Sequence, residues 1–74
     1  MSREEMQALA DPQGFRPFAI HTGSGQSYKV PTPEFIDIPP GDDTTYVTVY
    51  TTGKATVPRF IELTDIERIE FAGP

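Results

Sequence analysis

A single histidine, His21, is the one side chain here whose ordinary pKa lies near neutrality. Ser24 and Ser27 follow it closely, so a base and two hydroxyls fall within seven residues. Nucleophilic catalysis would need that base to be oriented by a third group and aimed at a hydroxyl. The pattern of the chain supports a plainer expectation, with His21 as a solvent-facing strand residue and Ser24 and Ser27 as turn and strand residues. The acids are a second source of chemistry. Asp42-Asp43 follows Gly41 but lacks the alternate ligand positions and terminal Glu of a calcium loop. Glu62, Asp65, Glu67 and Glu70 form an acidic run near the C-terminus, with Arg68 the one cation inside it. It reads as a solvated strand face, or as a docking patch for a basic partner. Gly23-Ser24-Gly25 has neither the spacing nor the following helix of a phosphate loop. Tyr46 and Tyr50, with Thr48 between them, offer the most site-like surface, because tyrosine supplies contact area at low entropic cost.

The totals narrow the classes. With 74 residues the chain accommodates one domain, 1–74, comprising an N-terminal helix over 1–12 and a β-domain over 15–71. Domains of this size bury only about 60% of the surface they expose when unfolded, and small scaffolds need a staple. There is no Cys and one His, which leaves neither disulfides nor a thiolate or His-rich metal site. A partner subunit is the staple still open. The formal charge of −5, from 11 acidic against 6 basic residues, disfavours nucleic acid and an anionic membrane surface. No apolar run reaches the roughly 20 residues of a membrane span, and residues 1–10 do not read as a secretory signal. A cytoplasmic location is expected. No cofactor and no catalytic residue is expected.

The elements that position these groups are short. Ser2 with Glu5 forms a capping box, and Met6, Leu9 and Ala10 share one helical face up to Asp11-Pro12. A helix of about ten residues cannot hold in water alone and must dock. Phe18, Ile20 and Thr22 alternate with Ala19 and His21 as a half-buried strand. The glycine pair makes a hairpin to Tyr28 and Val30, and Pro31 and Pro33 impose a bend. Phe35, Ile36 and Ile38 are expected to form a short apolar strand. The proline-glycine loop 39–43 precedes the clearest strand, 45–52, where Val47 and Val49 face opposite to Tyr46, Thr48 and Tyr50. Gly53-Lys54 is a turn into a strand over 55–63, with Val57, Ile61 and Leu63 on one face and Pro58 marking an edge or bulge. Thr64-Asp65 reads as one helical turn before a closing strand, 66–71, with Ile69 and Phe71 on one face.

The segments FRPFAIH, SYKV and PEFIDI resemble a family of small bacterial hypothetical proteins. Its pattern is carried here by Phe15, Arg16, Pro17, Phe18, Ile20, Gly25, Val30, Pro33, Glu34, Phe35, Ile69, Glu70 and Phe71. The resemblance implies no activity. The order of elements also resembles the Sm-like barrel, with Leu63-Thr64-Asp65-Ile66 as the turn before the last strand. That likeness implies ring assembly through the last two strands and RNA binding, but basic residues at the RNA-contacting loops have no counterpart here.

The expected fold is therefore mainly β: a short N-terminal helix followed by a five-stranded antiparallel bent sheet or small barrel, Sm-like or SH3-like. The expected function is a non-catalytic protein-interaction module, self-associating as a homo-oligomer or held by a protein partner. Tyr46, Thr48, Tyr50, Glu67 and Glu70 are its candidate surface. One alternative is a regulatory Sm-like nucleic-acid binder, which needs Arg16, Lys29, Lys54 and Arg59 on one patch. The other is a small enzyme, which needs a pocket joining His21 to an acid.

Overall fold

The computed structural model describes residues 1–51 and 57–73. Helix α1 spans Arg3–Ala10. The Ser2 hydroxyl accepts from the Glu5 N–H at 3.1 Å, and the Glu5 carboxylate accepts from the Ser2 N–H at 3.0 Å, completing the capping box. The Ser2 N–H, and then the Ser2 hydroxyl, hold the Glu5 carboxyl below the usual glutamate range. Met6 is fully buried, with Leu9 and Ala10 packed against the core. Arg3 adds a tether, its Nε donating to the Pro39 carbonyl at 2.9 Å.

Among the described residues six strands follow rather than the five expected, in two three-stranded antiparallel sheets that do not close into a barrel. They are β1 (Phe18–Thr22), β2 (Ser27–Val30), β3 (Ile36–Asp37), β4 (Tyr46–Thr51), β5 (Val57–Glu62) and β6 (Ile66–Phe71). One sheet has the order β2-β1-β6 and the other β3-β4-β5. The strand expected after the proline bend is shorter than its apolar residues suggest. Pro33–Phe35 forms a 3-10 turn rather than a strand start, leaving only Ile36–Asp37 extended against β4. Proline pre-sets the backbone angle that such a turn needs at its first residue.

The β1–β2 hairpin turns where expected. Thr22 and Gln26 close it through a main-chain bond of 2.9 Å, and Gly25 adopts φ 92°, a conformation costly for any side chain. Between β1 and β6 the register slips at His21/Thr22, so Thr22 opposes Ile66 while Ile20 opposes Ile69. This bulge puts two isoleucines three residues apart on the same face. The core between the sheets is Met6, Phe18, Ile20, Val30, Ile36, Val47, Val49, Ile61, Leu63 and Ile66.

Two face assignments differ from the sequence pattern. Thr48 is buried at 6% exposure, although it alternates with the core valines. It sits on the central strand of its sheet, opposite Asp37 on one side and Phe60 on the other. Val57, expected inward, is exposed at 39%, because the first part of β5 runs beyond the core. The Gly53-Lys54 turn and the expected strand residues Thr52, Ala55 and Thr56 lie outside the described residues.

Burying a side chain such as Met6 contributes about 1.5–3 kcal/mol, and deleting it also leaves a cavity. Met6→Ala is expected to cost about 2–5 kcal/mol in urea unfolding. A change near zero would mean that α1 is not docked.

Candidate functional site

The outer face of the β2-β1-β6 sheet carries the titratable residues. His21 on β1 lies between Ser27 on β2 and Arg68 on β6 in the cross-strand register. One residue pair along, Ala19 lies between Lys29 and Glu70. The pleat puts these side chains on the face opposite Phe18 and Ile20. His21 Nε2 lies 2.8 Å from Glu70 Oε1, and His21 Nδ1 lies 2.7 Å from Ser27 Oγ. An ionised carboxylate only accepts, so Nε2 carries the proton and donates the hydrogen bond to Glu70. In the neutral ring, Nδ1 then accepts from the Ser27 hydroxyl. The Arg68 guanidinium is 3.6 Å from the same Glu70 oxygen.

This chain of contacts joins all three strands. It also aims an imidazole at a hydroxyl with a carboxylate behind it, the relation that activates a serine nucleophile. An apolar groove of about 390 Å³ begins beside Glu70, lined by Pro17, Phe18, Val30 and Phe71 among others, with Lys29 at its rim. Neither His21 nor Ser27 borders it. His21 is thus joined to an acid, but on an open sheet face rather than in that groove. Its side chain is 22% exposed, against 60% for Glu70.

The acidic run divides by role. Asp65 is structural: its carbonyl accepts from the Gly23 N–H at 2.8 Å and its carboxylate accepts from Ser24 Oγ at 3.0 Å. A Cβ on Gly23 would come within 3.1 Å of that carboxylate, so a larger residue there would push the Asp65 side chain aside. Glu70 belongs to the His21 cluster, while Glu62 and Glu67 are exposed. Among the described residues no three of His, Cys, Asp and Glu gather as a metal-ligand set. No helix there is long and apolar enough to cross a membrane.

The second surface lies on the other sheet. Tyr46 is 38% exposed and Tyr50 is half-buried. Thr48, between them in sequence, is buried and offers little surface to a partner. Phe60, which the sequence reading passed over, is 71% exposed and meets the Tyr46 ring edge-on at 5.9 Å. The signal for it was available: if Ile61 and Leu63 face inward, alternation turns Phe60 outward. β5 pairs only with β4 among the described residues, so Phe60 stands on an edge strand. Pro58 marks that edge, as expected.

Of the cations named for a nucleic-acid patch, Arg16 and Lys29 both lie near the groove that Phe71 lines, and Arg59 does not. Arg16 lies over the Phe71 ring at 4.4 Å, Lys29 is on β2, and Arg59 is on the opposite sheet. Lys54 lies outside the described residues.

No family model, curated protein or solved structure matches the chain.

The His21 hydrogen bond, and then the Arg68 charge, hold the Glu70 carboxyl below the usual glutamate range. A carboxyl whose pKa is lower folded than unfolded adds stability above its unfolded value and loses it as pH falls through the folded one. Stability should therefore decline on acidification below about pH 4.5, the ordinary glutamate value. Glu70→Gln should flatten that decline, leaving the share due to Glu5. Thermal melts of both proteins between pH 3 and 6, about the ordinary carboxylate range, read this directly. Parallel curves would show that the His21–Glu70 contact carries no stability.

Proposed function

We propose that this chain is a non-catalytic protein-interaction module that self-associates through β5 and the adjoining aromatic surface. The observation that carries the reading is Phe60, a phenylalanine 71% exposed on an edge strand and packed edge-on against Tyr46. Scattered apolar residues on a surface need no explanation, but an aromatic pair beside unpaired main chain is a contact surface in waiting. Val57, exposed on the same strand, extends the apolar character. A domain this small, with no disulfide, also gains from burying that surface against a partner. Tyr and Phe anchors of this kind are where binding energy concentrates.

The His21, Ser27 and Glu70 cluster supports the same reading in a different way. Its three residues come from three strands, and their contacts hold those strands in register. The assembly expected is closed and symmetric rather than a filament.

Sedimentation velocity from about 1 to 100 μM, the range of ordinary interface affinities, tests the proposal. The expected result is a concentration-dependent shift from monomer to a single larger species. Phe60→Asp should raise the dissociation constant at least about tenfold, roughly 1.4 kcal/mol, without altering the circular dichroism spectrum. A wild-type chain that stays monomeric throughout would refute the proposal.

A further inference from the structure

The outer side of β5 carries a definite order of main-chain donors and acceptors. The Leu63 N–H donates to the Thr45 carbonyl at 2.8 Å, in the same register that pairs β4 with β5. In an antiparallel ladder, hydrogen-bonded and non-bonded pairs alternate. Ile61 and Arg59 therefore turn their main-chain groups toward β4, while Glu62, Phe60 and Pro58 turn theirs outward. Pro58 has no N–H, so the free edge offers two donors, on Phe60 and Glu62, and three carbonyls.

We propose that this edge pairs antiparallel with β5 of a second copy about a two-fold axis through Phe60, joining two three-stranded sheets into one of six strands. The inference rests on the self-association proposed above and supplies its register. Only outward-facing residues can exchange bonds, which leaves few arrangements. With Phe60 opposite Phe60, the two phenylalanines bond each other twice. Each Glu62 N–H then meets a Pro58 carbonyl, so all four donors find acceptors and the missing proline donor costs none of them.

The other registers do worse. Pro58 opposite Pro58 has no donor at the axis. Phe60 opposite Pro58 uses only the Phe60 donors within the described strand and sets Arg59 against Arg59. Phe60 opposite Glu62 confines the contact to residues 60–62, because the chain leaves the strand at Leu63. Like charges directly opposite are unfavourable, and the favoured register has none: Glu62 faces Pro58 and Arg59 faces Ile61. It also adds the second Phe60 ring to the Tyr46–Phe60 pair, giving four contiguous aromatic rings.

Site-directed disulfides test the register. Opposed residues of a hydrogen-bonded antiparallel pair have Cα atoms about 5.5 Å apart, within disulfide range. Phe60→Cys should convert to a covalent dimer under mild oxidation. Glu62→Cys should not, since the two copies of that residue lie four positions, about 13 Å, out of step. Because Phe60→Cys also removes an aromatic anchor, the wild-type chain provides an independent readout. A mixture of labelled and unlabelled protein should show an intermolecular contact between the α-protons of Arg59 and Ile61, which oppose each other as a close, non-bonded pair. Self-association without that contact, or with equally ready cross-linking at Glu62→Cys, would overturn the register and leave self-association standing. A monomeric wild-type chain would remove both.

Discussion

The hydrogen bond from Leu63 N–H to the Thr45 carbonyl sets the phase of everything C-terminal to β4. It fixes which residues of β5 turn their main chain inward, and so places Pro58, where no donor exists, on the outer side. A shift of one residue would reverse every side chain of the strand, burying Phe60 and Arg59's neighbours in place of Ile61. The bond also marks where β5 stops, since Leu63–Asp65 is the 3-10 turn that carries the chain from one sheet to the other.

That turn ties the halves of the molecule together. Leu63 is buried in the core, and its carbonyl accepts from the Met1 nitrogen at 3.3 Å. Two residues on, Asp65 holds the β1–β2 hairpin through Gly23 and Ser24. Helix, first sheet and second sheet thus meet within three residues. Each bond contributes only about 1 kcal/mol, but together they leave little freedom in the angle between the sheets. The consequence is an open architecture. β1 and β4 are central with a strand on either side, while β2, β6, β3 and β5 end their sheets as edges among the described residues.

Much of this was legible in the sequence, and the exceptions have physical causes. The capping box at Ser2 and Glu5, the β1 alternation, the Gly25 turn and the Thr64-Asp65 turn depend on local chemistry, which the chain states directly. Alternation puts Thr48 on the tyrosine face, but its burial depends on its central place in the sheet, which no local pattern states. The apolar run at Phe35 reads as strand, but the proline two residues earlier starts a 3-10 turn that takes Phe35 in. The His21–Glu70 contact spans 49 positions and no local pattern encodes it. The acidic run looked uniform, yet Asp65, Glu70 and Glu62 have three different surroundings. Phe60 was readable from alternation alone, and its significance came only with the knowledge that β5 lies at an edge.

The alternation of inward and outward amides along β5 is the claim from which the surface and its register follow. Amide hydrogen exchange of the wild-type chain at two protein concentrations reads it residue by residue. In dilute solution, Arg59, Ile61 and Leu63 should exchange slowly, while Phe60 and Glu62 exchange almost as fast as an open chain. In concentrated solution, Phe60 and Glu62 should slow markedly and the other three should change little. Fast exchange at Leu63, or protection at Phe60 that is already complete in the dilute monomer, would contradict the account.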